Sequence, residues 1–303
     1  MNFPPDESPS DAGSALARFE AERRRLFVIA YRLLGSVSDA EDVLQDAYIK
    51  WQAQRHDTIG NPGAWLATVV TRLALDALDR AHRRRVEYVG PWLPEPMIQE
   101  TDAMPHAERP DEVQELGEEL SLAFLVMLER LSPAERAVFV LRESFDFDYR
   151  EIARILGKSE ENCRQIDRRA RRHLAGGARV RAGDPGEHRE LVERFLRATR
   201  DGDVDGLLAV LAKDVVSYAD GGGKVFAAKI PVEGAERVAR YLAGLRAKAP
   251  PGVSLRIGRV NGEPAILTYV DGVLHNVIAL YVEDGAIRRL FIVVNPDKLH
   301  VVA

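Results

Sequence analysis

One cysteine in 303 residues excludes an internal disulfide and leaves no thiolate cluster for a metal, so a reducing, cytoplasmic setting is expected. No apolar run approaches the roughly 20 residues that cross a bilayer. The opening stretch MNFPPDESPSDAGS is polar and acidic where a secretion signal is basic and then apolar, so residues 1–14 are expected to be a disordered tail and no membrane contact is expected. Excess positive charge is lacking too. The formal net charge is −5, which excludes a simple polycationic coat, and affinity for nucleic acid has to come from local basic patches. The length allows two or three domains with real apolar cores.

Against that acidic average, Asp148 to Leu174 stands out. DYREIARILGKSEENCRQIDRRARRHL reads as a short helix, a turn at Gly157, and a second helix with Ser159 as N-cap and Glu160 and Glu161 at the positive end of its dipole. Ile152, Ile155 and Leu156 can pack on Cys163, Ile166 and Ala170, which makes Cys163 a packing residue. Arg164, Arg168, Arg169, Arg171 and Arg172 are left to face outward, with Asp167 the one acid after the first turn. That is the layout of a helix-turn-helix whose second helix enters a major groove.

Upstream, residues 15–88 form one block that reads as all helix from about Ala15 to Arg85. Leu26, Ile29, Ala30, Leu33 and Leu34 recur at helical spacing and Gly35 marks the stop. Ser38 to Glu41 reads as a capping box opening a helix that buries Val43, Leu44, Ala47, Tyr48 and Trp51 and exposes Asp42, Gln45, Asp46 and Lys50. A third helix, Ala64 to Arg80, runs into the basic stretch Arg80–Arg85. Five prolines between Pro91 and Pro110 mark residues 89–116 as a linker, extended at 91–96. A second helical block spans 117–176, with Ser132-Pro133-Ala134-Glu135 as a capped helix start. After a hinge at 177–186, residues 187–303 read as a separate α+β domain. It has helices at about 187–201, 203–212 and 234–248, and strands at 215–218, 225–230, 253–260, 265–270, 273–282 and 286–294. Asp271-Gly272 and Asp284-Gly285 are hairpin turn signals.

The two helical blocks, in this order and spacing, resemble an extracytoplasmic-function sigma factor over most of residues 17–175. Asp39 to Asp46 looks like the helix with which that family docks on the clamp coiled coil of RNA polymerase. Ala64 to Arg85 matches its promoter-melting helix, and the helix-turn-helix matches its −35 reader. Trp92-Leu93-Pro94-Glu95-Pro96, Asp220-Gly221-Gly222-Gly223-Lys224 and Asn295-Pro296-Asp297-Lys298-Leu299 together resemble the signature of one group in that family. Its members carry a C-terminal domain similar to the polyketide cyclase SnoaL, an NTF2-like cone. The fold class implied is multidomain: two all-α sigma domains and an α+β cone.

The resemblance implies core RNA polymerase, at clamp and flap, and promoter DNA as partners. Asp39, Glu41, Asp42, Gln45 and Asp46 would touch polymerase, as an acidic and amide-bearing face suits a basic surface. Asn61, Arg72, Asp76, Arg80, Arg83 and Arg84 would meet the −10 element, with the Asn61-Pro62-Gly63 loop at an unstacked base. Arg72 and Asp76 also have the spacing of an i,i+4 ion pair. Asn162, Arg164 and Gln165 sit where side chains reach −35 base edges, and Arg168, Arg169, Arg171 and Arg172 where they hold phosphates. Trp92 and Leu93, residues 220–224 and residues 295–299 are expected to form a regulatory contact between linker and C-terminal domain.

Cone folds often enclose a pocket, for which Tyr218, Asp220, Tyr269, Asp271, His275 and Asn276 are candidate polar groups. No acid–base pair is evident, so the expectation is no enzyme activity and no cofactor, with a small ligand of unknown kind left open. DGGGK lacks the Ser or Thr of a nucleotide P-loop and is expected to precede a strand. Two other readings remain open at this point: a ligand-responsive one-component DNA-binding regulator, and a cyclase or isomerase fused to DNA-binding helices.

Overall fold

The structure, a computed structural model, describes residues 9–85, 88–99, 120–174 and 185–299. Helices α1 (Pro9–Leu34), α2 (Val37–Gln52) and α3 (Pro62–Arg85) come first. A two-residue strand β1 (Ile98–Gln99) and helix α4 (Leu122–Leu128) follow. Then come α5 (Pro133–Phe145), α6 (Tyr149–Leu156) and α7 (Glu160–Leu174). The remainder is α8 (Pro185–Asp201), α9 (Val204–Leu208), β2 (Leu211–Asp220), β3 (Val232–Glu233), α10 (Ala235–Ala247), β4 (Val253–Val260), β5 (Glu263–Val270), β6 (Val273–Glu283) and β7 (Ala286–Val293).

These elements form two compact units: Met1–Arg83 with Leu128–Gly177, and Arg84–Met127 with Ala178–Ala303. In the first, the stripe Leu26, Ile29, Ala30, Leu33 and Leu34 is buried against Val43, Leu44, Ala47 and Trp51. Gly35 ends α1 at φ 66°. The N-cap of α2 is Ser36, not the expected Ser38. Ser36 holds extended backbone and accepts from Asp39 N at 3.1 Å, which places Ser38 inside the first turn. The box at Ser132 and Glu135 forms as read.

The second unit is a seven-stranded sheet in the order β1-β4-β5-β6-β7-β2-β3, antiparallel except where β2 runs parallel to β7. Alternation along the strands supplies two apolar faces. One carries Ile278, Leu280 and Ile292 against Phe195 of α8, Leu207 of α9 and Leu242 of α10. The other carries Ala279, Tyr281, Phe291 and Val293 against Leu93, Leu122 and Ala123. The connecting segment therefore belongs to the C-terminal fold. Ile98 extends the sheet by pairing with Val260, a strand that the prolines around it concealed.

Two of the expected elements differ in the structure. Val225–Ile230 is not a strand: Phe226 and Ile230 are 86% and 76% exposed, so its apolar content reflects surface and not sheet. The second helix of this unit stops at Leu208, because β2 begins at Leu211. A third hairpin turn, Asn261-Gly262, joins the expected pair, and in all three both central residues have positive φ, as type I′ turns require.

Candidate functional site

The helix-turn-helix is assembled from local signals. Asp148 and Glu151 cap α6 reciprocally, Gly157 ends it at φ 63°, and Ser159 Oγ accepts from Asn162 N at 3.2 Å to start α7. Cys163, Ile166, Ala170 and Leu174 turn inward, and burial raises the Cys163 thiol pKa. Asn162, Arg164, Gln165, Arg168, Arg169, Arg171 and Arg172 all lie on the exposed side. Arg171 is nonetheless not free. Its Nε donates to Asp167 Oδ2 at 2.9 Å and its other end pairs with Glu143, while Tyr149 OH donates to the same Asp167 oxygen at 2.8 Å. Asp167 is thus a buried anchor, not an interruption of the basic face, and its i,i+4 spacing to Arg171 was the signal available for that. Arg164 lies 5.2 Å over the Tyr149 ring and pairs with Glu160, which preorients it at the front of the helix.

On α2, Asp42, Gln45 and Asp46 form an exposed face, while Asp39 is half-buried at the helix start. Glu41 is drawn aside by Arg23 at 2.6 Å. Asn61 caps α3 by accepting from Ala64 N at 3.0 Å. Trp65 is half-buried and packs on Trp51, ring centroids 5.5 Å apart. Asp76 and Arg80 are exposed, with Arg80 Nε on the Asp76 carbonyl. Arg83 and Arg84 have side chains outside the described residues.

Arg72 forms no ion pair with Asp76. It donates to the carbonyls of Ile155 at 2.8 Å and Arg154 at 2.9 Å, the negative end of α6. Arg136, 2% exposed, reaches from α5 to the Leu33 carbonyl at 2.9 Å and to Glu129 at 2.7 Å. Arg25 and Arg32 lie over Phe147 and Phe145. The two helical blocks therefore pack as one body, a set of contacts absent from the sequence reading because its partners are far apart along the chain, 103 residues for Arg136 and Leu33.

The third site lies within the second unit. Asp220, fully buried at the end of β2, accepts from Leu93 N at 2.9 Å, Tyr88 OH at 2.6 Å, Gly222 N at 3.0 Å and Lys298 Nζ at 2.8 Å. Lys298 also donates to the Leu93 carbonyl and lies 4.2 Å over the Trp92 ring. Asn295 donates to Tyr88 OH at 3.0 Å, and Lys224 pairs with Asp297. Gly222 and Gly223 have φ 62° and 71°, and side chains there would strike Asn295 and Val89. Burial, then the Asp220 carboxylate, pushes the Tyr88 phenol well above its ordinary pKa. The three short motifs thus converge on one buried ion pair. Tyr88 and Val89, just upstream of the prolines, are the participants that sequence reasoning missed.

The opposite face of the sheet encloses a cavity of about 510 Å³. His275 and Asn276 line it. Asp220 and Tyr218 do not: one holds the connecting segment and the other stacks on Phe291. Tyr269 lies under Arg256, and Asp271 occupies a turn at φ 49°.

A helical body with an exposed acidic helix, a capped basic helix-turn-helix and an accompanying cone has the layout of an RNA polymerase sigma factor. Family models agree: sigma-70 region 2 matches residues 18–84, sigma-70 region 4 matches 121–174, and the SnoaL-like domain matches 192–289. The chain belongs to the extracytoplasmic-function sigma factors of the sigma-70 family, in the group with a SnoaL-like C-terminal domain. It is 39% identical over 294 residues to the ECF RNA polymerase sigma factor SigJ of Mycobacterium tuberculosis, covering 93% of this chain and 92% of SigJ. It is 35% identical over 286 residues to the probable ECF RNA polymerase sigma factor SigI of the same species, covering 93% and 94%. The crystal structure of SigJ superposes with a TM-score of 0.75 at 36% identity, over 93% of this chain and 97% of that one. The protein is a sigma factor, a transcription regulator that binds core RNA polymerase and promoter DNA.

Proposed function

We propose that this sigma factor is restrained by its own C-terminal domain through the segment that joins its two sigma domains. The observation that carries this reading is the Asp220–Lys298 pair, which holds Leu93 by both its N–H and its carbonyl. A tether bound along a folded surface cannot extend. Elements centred ten and thirty-five base pairs upstream are about 25 base pairs apart, roughly 85 Å at 3.4 Å each. Arg72 on the −10 helix bonded to the end of α6 is incompatible with that separation, so the packed helical body is the resting form. Core polymerase shifts the population only by binding the open form better.

In the open form, Asp42, Gln45 and Asp46 dock on the polymerase clamp, and the helix-turn-helix lies beside the flap. Asn162, Arg164 and Gln165 read −35 base edges, while Arg168, Arg169 and Arg172 hold phosphates. Asn61, Arg72, Asp76 and Arg80 serve the −10 element once Arg72 is released. A cytoplasmic site of action goes with these partners. The test is transcription with purified core polymerase, comparing the full chain with residues 1–176. The restraint predicts higher output from the truncated protein at unchanged promoter preference; equal or lower output argues against it.

A further inference from the structure

The cavity inside the cone has the chemistry of a ligand site. Its walls, including Leu255 and Ile278, are apolar. Two polar atoms within it have no partner among the described residues: Thr199 Oγ1 and Asn276 Oδ1, both shielded from solvent. Thr199 is itself 8% exposed. A buried polar atom without a hydrogen bond is destabilising, so these two stand ready for a hydrogen-bonding guest. Charge gives the guest's other end. Arg246 and Lys248 line the same cavity on exposed positions, no carboxylate lines it, and Lys248 makes no ion pair among the described residues. About 510 Å³ lies within the range of small-molecule pockets.

We infer that the cone binds a small apolar monocarboxylic acid, its body against the sheet and its carboxylate toward Arg246 and Lys248. The site communicates with the tether by adjacency. Ala219 and Val294 line the cavity, and their chain neighbours Asp220 and Asn295 hold Leu93 and Tyr88 on the other face. Occupancy therefore biases the docked segment, a consequence that rests on the restraint proposed above; the binding itself does not.

Titration calorimetry on the full chain tests the binding, with decanoate, 1-decanol and decylammonium as probes. Decanoate should bind most tightly, with 1-decanol about fivefold weaker, as an exposed ion pair allows, and decylammonium weaker still. Leu245→Trp, at a partly exposed lining position, should abolish binding of all three. Lys248→Glu, at an exposed position, should erase most of the preference for decanoate over decylammonium. No binding by any probe, equal binding of acid and amine, or indifference to both substitutions overturns the inference. Decanoate that binds yet leaves transcription unchanged overturns only the coupling to the tether.

Discussion

Replacing Asp220 by alanine tests the linker dock at its most concentrated point. The carboxylate is fully buried and Lys298 is nearly so, at 11% side-chain exposure, so solvent screens the pair little. Removing one member of a buried pair costs about 3–5 kcal/mol, much of it from leaving the other charge unpaired. Trp92 and the Leu93 carbonyl remain for Lys298 and offset part of this, which argues for the lower end. About 3 kcal/mol, at 1.4 kcal/mol per tenfold, shifts docking by roughly two orders of magnitude. Amide hydrogen exchange reads this directly, since Leu93 N–H is donated to Asp220. Its protection should fall about a hundredfold, while amides of β5 and β6 keep theirs. Lys298→Met alone should cost less, and the double variant should cost less than the sum. Unchanged protection at Leu93, or an equal loss throughout the sheet, would refute the reasoning.

Three further outcomes follow from the geometry. Arg171→Ala should lower the melting temperature, since it leaves buried Asp167 without its cation, whereas Arg168→Ala should reduce DNA affinity and its salt slope alone; equal melting temperatures contradict this. Asp46→Arg should weaken binding to core polymerase at low salt without altering the circular dichroism spectrum, and unchanged affinity in a titration counts against the α2 face. His188 has a pKa lowered by burial, so its neutral form is the one the fold holds. A depressed folded value means stability fully present above pH 6.5 and lost as pH falls through the folded pKa. Urea unfolding between pH 7 and 5 should show this loss in the wild type and less of it in His188→Phe.

Much of the fold was legible because it is locally encoded. Capping residues, the Gly35 and Gly157 stops and the Asp-Gly turns each act within a few residues, and the structure uses them. The misreadings have the same origin. Ser38 resembles a cap as well as Ser36 does, and only backbone geometry decides between them. Val225–Ile230 has strand composition, but it joins no strand of the sheet and leaves Phe226 and Ile230 exposed, so composition alone misled. For the sites, residue types at helix faces showed which side chains are exposed. What they could not show was long-range engagement: Arg72 with α6, Arg171 with Glu143, and Tyr88 with Asp220. Motif spacing linked Trp92, Asp220 and Lys298 without supplying the ion pair that unites them.

The proposed restraint holds the two sigma domains together at rest and lets them part on polymerase. The most direct measurement is energy transfer between dyes at exposed positions 50 on α2 and 158 beside α6, with Cys163→Ala removing the native thiol. High transfer in the free protein, lower transfer on adding core polymerase, and an intermediate value for free Asp220→Ala are predicted. Transfer that is equal in free and polymerase-bound protein, while the bound protein transcribes, would contradict the account.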